Sequence, residues 1–369
     1  MRIAIDGRKI ADFGIGTYIQ GLLRGISRSD ADHHFVILLP RPLRRWVPDD
    51  PRFACTDLES PHYSLRELRA VARAIDRSRV DLFHAPHYVV PFTSRPVVVT
   101  IHDLTHLVVR HPNPLARPYA SWMIGRAATI SRRVLTVSRA TADELLARYP
   151  DIGAKLTVTP NGVAEEFFDP PAGSALEELA ALGLASGRYL LTVGNDKPHK
   201  NLDRLVAAFR RAPAHLEGVS LVFAGSAPAR FENIEGVRLL GSVSFERLRA
   251  LYARALAVVQ PSAHEGFGLP VLEAMAGGAP VIASSIAAHR EVAGDAALMI
   301  DPSSIDSMSA AMIRIFDDED LRQQMSERGR IRARGWSWTE CASATLRAYG
   351  DAIGAPRDVE IVEHRGTPG

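Results

Sequence analysis

The chain has little cysteine: Cys55 and Cys341 are the only two thiols in 369 residues. Two cysteines so far apart exclude a disulfide framework and a cysteine-based zinc site, and make a reducing cytoplasm the simpler setting. Net charge is nearly absent too, with 44 Lys and Arg against 42 Asp and Glu. No global field would hold nucleic acid, so an anionic partner has to be met by a local site. Long apolar runs are missing: nothing approaches the roughly 20 residues of a membrane span. The start, Met1 to Asp6, lacks the apolar centre of about 7–15 residues that marks a signal peptide. Arg41, Arg44 and Arg45 beside Trp46 read as a solvated loop, with peripheral membrane contact as the alternative.

What is present is an ordinary globular composition, 46% hydrophobic and 23% charged, which excludes a largely disordered chain. The length exceeds one core of about 100–200 residues and fits two. Short β-branched runs at Ile3–Ile5, Phe35–Leu39, Leu82–His84, Val97–Ile101, Val134–Val137 and Leu156–Val158 read as strands. Helical patterns at Thr17–Ile26, Ser64–Arg77, Pro118–Ser131 and Ser138–Arg148 separate them. The turn-rich segment Asp169–Ser174 then reads as a linker, after which six more strands follow: Tyr189–Val193, Ser220–Ala224, Val237–Leu240, Ala257–Gln260, Val281–Ala283 and Leu298–Ile300. Alternation of this kind predicts α/β architecture, two doubly wound Rossmann-like halves with parallel sheets. Residues 1–172 form the first and 173–337 the second, with a boundary near residue 172. The helix Trp338–Ile353 fits either half by periodicity, and the tail 354–369 reads as frayed.

The most informative run is Glu265 to Gly278, which follows the strand Ala257–Gln260, bends through glycines and enters a helix at Pro270. A glycine-bent loop at a helix start offers free backbone N–H groups to a phosphate or to sugar hydroxyls. Glu265 on the loop and Glu273 one turn into the helix suit vicinal hydroxyls, one of a transferred sugar and the other of a ribose. The bland reading of Glu273 is a carboxylate stabilised by the helix dipole. Lys200, in the polar loop after strand Tyr189–Val193, could neutralise a diphosphate leaving group at the carboxyl end of a strand.

Gly14-Ile15-Gly16 after the first strand imitates a dinucleotide fingerprint, but Ile19 stands at its third glycine and no acidic residue closes the second strand at Leu39-Pro40-Arg41. Hydride transfer is therefore disfavoured, leaving a glycine turn that brings backbone close to a ligand or merely joins strand to helix. His102, in Ile101-His102-Asp103-Leu104, falls at the carboxyl edge of its sheet. His84 and His87 lie near it, without metal-binding spacing, and read as structural.

These residues together resemble the retaining GT-B glycosyltransferases, the family of sucrose synthases, bacterial glycogen synthases and many lipopolysaccharide mannosyltransferases. Its signature, two glutamates separated by seven residues in a Glu-Gly-Phe-Gly-Leu-Pro context, is matched by Glu265 and Glu273. Val137-Ser138, Pro160 to Val163, Ala279 to Ala283, Glu291 to Gly294 and Asp301-Pro302 look like further landmarks. His102 to Thr105 and Lys197 to Asn201 are similar to the branch of bacterial polysaccharide mannosyltransferases.

The resemblance implies that Glu265 meets hydroxyls of the donor sugar, backbone of Gly266, Phe267, Gly268 and Leu269 meets sugar and phosphate, and Glu273 grips the ribose. Lys200 would stabilise the departing diphosphate, Gly16 would approach it from the first domain, and His102 would touch the sugar at the reacting centre. Val243 would bind the base through main chain. Asn195, with Asp196, stands in the donor site where many members carry a second cation, for which Lys197 or His199 would substitute. The terminal helix would cross back to the first domain.

The implied activity is metal-free transfer of a hexose, with mannose from GDP-mannose favoured, to a glycan or lipid-linked acceptor, with retention of configuration and no cofactor. It implies a cytoplasmic enzyme, with or without peripheral contact at the inner face of the membrane. Acceptor choice falls to loops such as Arg41–Arg52 and Arg110–Arg117. The rival readings are a sugar-nucleotide epimerase or phosphorylase on a similar scaffold, and an idle sugar-nucleotide-binding protein.

Overall fold

A computed structural model describes residues 1–60, 65–109, 116–212 and 216–354. Ser64, most of the loop at 110–117 and the tail 355–369 lie outside the described residues. The chain alternates β1 (Arg2–Asp6), α1 (Phe13–Ser27), β2 (His34–Leu39), β3 (Phe53–Asp57), α2 (Leu65–Ser78), β4 (Leu82–Ala85), β5 (Val97–Ile101), α3 (Thr105–Val108), α4 (Ala116–Ile130), β6 (Arg133–Thr136), α5 (Arg139–Arg148) and β7 (Leu156–Val158). It continues through α6 (Gly173–Ala181), β8 (Tyr189–Gly194), α7 (Leu202–Arg210), β9 (Ser220–Gly225), β10 (Val237–Leu239), α8 (Phe245–Arg254), β11 (Ala257–Gln260), α9 (Leu269–Ala276), β12 (Val281–Ser284), α10 (Ala287–Ala293), β13 (Ala297–Ile300), α11 (Ile305–Asp317), α12 (Glu319–Ala333) and α13 (Trp338–Gly354).

The strands form two all-parallel sheets, ordered β3-β2-β1-β4-β5-β6-β7 and β10-β9-β8-β11-β12-β13. Both are doubly wound. Central strands such as Val97–Ile101 and Ala257–Gln260 are buried along their whole length because helices cover both faces. In each sheet the order reverses beside the first strand of its half, between β1 and β4 and between β8 and β11, and ligands of such folds bind at that crevice.

Two features correct the sequence reading. β3 was not foreseen: it is an edge strand whose residues are only half buried, so Phe53–Asp57 shows neither an apolar run nor clean alternation. The first helix begins at Phe13, four residues earlier than the pattern suggested, so Gly14 and Gly16 belong to its first turn.

Helix α13 packs on α1, β5 and β6 of the first sheet. Glycine makes the docking possible: Cβ atoms at Gly21 and Gly25, one turn apart on α1, would collide with the ring and the backbone of Trp338. The segment before α13 also bridges, Val163 pairing with Ser337. The Arg41–Trp46 segment forms a short 3-10 turn, where Arg44 pairs with Asp57 at 2.8 Å. Trp46 is 39% exposed with the Arg45 guanidinium over its ring. Among the described residues no helix is long and apolar enough to cross a membrane.

Candidate active site

Lys200 follows β8 and Glu265 follows β11, and because these two strands are neighbours the two loops meet at the carboxyl edge of the second sheet. Lys200 Nζ donates to Glu265 Oε1 at 2.6 Å, and Ser262 Oγ donates to the same oxygen at 2.6 Å. Burial by itself would raise the Glu265 carboxyl. The charge of Lys200, then that of His289, and the hydrogen bonds from Lys200 and Ser262 outweigh it and hold the group down at about 2. The Glu265 carboxylate is thus ionised at neutral pH, and the two side chains are 13% and 15% exposed.

The loop after β11 then turns through Gly268, at φ 105°, into the start of α9. A side chain there would be strained by the backbone and would press on the buried His289. Phe267 is buried edge-on against Trp336 with ring centroids 5.3 Å apart, so its ring is an anchor and only its main chain is available to a ligand. Leu269 opens α9, next to Pro270. Glu273 lies one turn further, where Tyr252 Oη donates to its carboxylate at 3.0 Å. Burial pushes Glu273 up to about 7 despite that hydrogen bond. A carboxyl so desolvated gains from hydroxyl donors, which is the chemistry of a ribose.

A small pocket beside Lys200 is lined by Thr192, Gly194, Asn195, Gly225 and Gln260. The buried Asn195 Oδ1 has no hydrogen-bond partner there. Val243 lies half-buried just before α8. Of the two substitutes for a second cation, His199 fails: burial outweighs the Glu265 charge and lowers it to about 4, leaving a neutral ring at physiological pH. Lys197 is exposed. A cation the sequence did not suggest is Arg230, bound to Asp203 at 2.8 Å and to Asp196 at 3.4 Å beside this corner.

From the first domain, His102 reaches the cleft from the end of β5. Its Nε2 lies 2.8 Å from the Pro86 carbonyl oxygen, and a carbonyl only accepts, so Nε2 carries the proton. Burial keeps the ring below its ordinary pKa against the opposing pull of the Pro86 carbonyl and Asp103. The neutral ring therefore presents Nδ1 as an acceptor, suited to a sugar hydroxyl. Tyr18 meets the ring edge-on at 4.7 Å. Gly266 lies so close to the His102 carbonyl that a Cβ would overlap it, and Ser138 Oγ donates to the Gly266 carbonyl at 2.5 Å across the cleft.

Gly16 is placed differently from the sequence reading. Its N–H is held by the Asp12 carbonyl and its open side faces the Ile10 backbone, so this glycine serves the chain's own turn. Gly14 is exposed and lies beside the start of α9, with Leu269 Cδ1 at 3.9 Å from where its Cβ would stand. His84 is buried between Tyr349 Oη at 2.7 Å and Thr100 Oγ1 at 2.8 Å, a structural histidine. His87 accepts from the Val89 N–H. Among the described residues no group of three or more His, Cys, Asp or Glu side chains could hold a metal ion. His264, another residue the sequence gave no reason to single out, joins Thr105 at 3.0 Å to Glu144 at 3.0 Å over the cleft.

Two doubly wound domains meeting over an ion pair and a glycine-bent helix start define the GT-B type of transferase. A family model described as glycosyl transferases group 1 matches residues 178–332, and one described as glycosyltransferase family 4 matches residues 14–167. O-antigen chain mannosyltransferase B of Escherichia coli is 29% identical over 300 residues, 78% of each chain. Phosphatidyl-myo-inositol mannosyltransferase of Mycolicibacterium smegmatis is 29% identical over 280 residues, 72% of this chain and 68% of the relative. Sucrose-phosphate synthase from Thermosynechococcus elongatus superposes with a TM-score of 0.76 at 20% identity, over 95% of this chain and 98% of its own. The chain belongs to the GT-B glycosyltransferase family and is an enzyme of that family.

Proposed function

We propose that this glycosyltransferase moves a mannosyl group from GDP-mannose to a glycan or lipid-linked acceptor, without a metal ion or cofactor and with retention of anomeric configuration. The observation that carries the reading is the Lys200–Glu265 pair at the switch point of the second sheet. Mannose as the sugar is supported by two relatives named as mannosyltransferases. Their named acceptors differ, which leaves the acceptor to the first-domain loops.

In this reading the diphosphate sits between Lys200 and the backbone N–H groups from Gly266 to Leu269. Asn195 and Val243 flank the nucleotide, Glu273 takes the ribose and Glu265 takes sugar hydroxyls. The bond from C1 to the phosphate oxygen breaks as the acceptor oxygen bonds to C1 on the same face, and the acceptor proton passes to the departing diphosphate. Lys200 offsets the charge that develops there, and His102 Nδ1 accepts from a sugar hydroxyl. Gly14 replaces Gly16 as the first-domain glycine at the cleft. The enzyme works in the cytoplasm, with peripheral membrane contact where its acceptor is lipid-linked.

The test incubates the purified protein with GDP-, UDP-, ADP- and dTDP-sugars in the presence of a chelator, scoring turnover and donor-induced thermal shift. Glu265→Ala and Lys200→Ala serve as controls. Turnover with GDP-mannose, lost in both controls, is the expected result, and proton NMR of the new linkage reports the anomer. An inverted product overturns retention; silence from a folded protein across the panel favours an idle binding protein.

A further inference from the structure

Helix α5 begins at the end of β6 in the first domain, capped by Ser138, whose Oγ accepts from the Thr141 N–H at 3.0 Å. A helix start leaves its first N–H groups without partners inside the helix. Here two of them are taken by a side chain of the other domain. Arg139 N donates to Glu291 Oε1 at 2.9 Å and Ala140 N to Glu291 Oε2 at 3.0 Å. Glu291 lies on α10, and α10 is held in turn by Arg332, which donates to the Glu291 and Val292 carbonyls at 2.6 Å. Both carboxylate oxygens thus clamp a helix dipole across the cleft, in a geometry that opening of the domains would break.

The same helix start touches the donor loop. Ser138 Oγ and Thr141 Oγ1 both donate to the Gly266 carbonyl, at 2.5 and 3.1 Å. Gly266 is pressed on the His102 carbonyl with no room for a side chain. Closing the Glu291 clamp therefore sets Gly266, and with it Glu265 on one side and the N–H groups of the loop on the other, against His102.

We propose that Glu291 is a positioning residue: its carboxylate on the first N–H groups of α5 latches the two domains closed and sets the donor loop against His102. The kinetic part of this inference rests on the transferase reading, whereas the latch itself does not.

The test measures the distance between spin labels on exposed sites of the two domains in the full-length protein without substrate, then steady-state kinetics. Glu291→Gln removes the charge. Arg139→Pro removes one of the two donated N–H groups yet suits the helix, because proline is favoured at a first helical position and Ser138 already has the extended backbone a proline requires. Arg139→Ala, which keeps the N–H, is the control.

The latch predicts longer distances in Glu291→Gln and Arg139→Pro but not in Arg139→Ala. It also predicts a rise in donor KM on the order of tenfold, with kcat at saturating donor far less affected, because bound donor pulls the open form closed. Unchanged distances in both variants overturn the latch whatever the enzyme transfers. Longer distances with wild-type kinetics overturn the positioning role alone. If Glu291→Gln fails to fold, the two Arg139 variants decide the question.

Discussion

The Lys200 ammonium and the Glu265 carboxylate lie 2.6 Å apart although 65 residues separate them in the chain. In the proposed reading, a diphosphate entering the site competes with Glu265 for Lys200. On that reading the free enzyme keeps the cation in place by pairing it, and the sugar hydroxyls would replace what Glu265 gives up.

Lys200→Ala is expected to lower kcat by about 10²–10³ in steady-state assays, the loss typical of one removed charge-stabilising group. Lys200→Arg should recover part of it, since charge returns in a different shape.

Acid unfolding should report Glu265. Its folded pKa is depressed to about 2, so its contribution is present above the ordinary carboxyl range and is lost as pH falls from about 4.5 towards 2. Glu265→Gln should be less stable than the wild type at pH 7, and the gap should close across that window in denaturant titrations.

Glu273 has the opposite sign. Its folded pKa is raised to about 7, so its contribution is full below about 4.5 and is lost as pH rises through 7. Thermal unfolding should show Glu273→Gln gaining on the wild type by on the order of 2–3 kcal/mol between pH 4.5 and pH 8. Nucleotide binding should release a proton near pH 6.5, seen as buffer-dependent heat in calorimetry, and Glu273→Gln should abolish it while weakening affinity.

His102→Phe keeps the ring packing on Tyr18 and removes the acceptor nitrogen. A fall of about 10–100-fold in kcat/KM for the donor is expected. The wild-type pH profile should show no acid limb at the ordinary histidine value of about 6.5, because burial holds the ring neutral there.

Gly21→Ala and Gly350→Ala should differ in sign. A methyl at Gly21 meets the Trp338 ring and should cost about 1–3 kcal/mol in equilibrium unfolding. At Gly350, an exposed position on α13 with nothing within 4 Å, alanine should stabilise the helix by about 0.5–1 kcal/mol.

Much of the fold was legible because its signal is local. A buried parallel strand needs an apolar run and its covering helix a 3.6-residue period, so twelve strands could be read from short windows, whereas the half-exposed edge strand Phe53–Asp57 could not. The candidate site was legible at Glu265–Glu273 because a glycine-bent helix start is written in consecutive residues. Arg230, His264 and His289 carry no such mark and acquire their places only through partners distant in the chain, while Glu291, a landmark of the resemblance, gains its partner on α5 only in the fold.

The sequence by itself determined the alternation of strands and helices, the glycine turn of the donor loop and the nearly neutral charge. Periodicity left the place of α13 open and only the family resemblance pointed to the first domain; the tertiary structure packs it on α1, leaves Gly14 exposed and Gly16 buried, keeps His199 neutral and pairs Lys200 with Glu265. The reason is physical. Periodicity fixes which face of an element is apolar, but the order of strands in a sheet, and the desolvation of a charge between two domains, are properties of packing that no short stretch of chain contains.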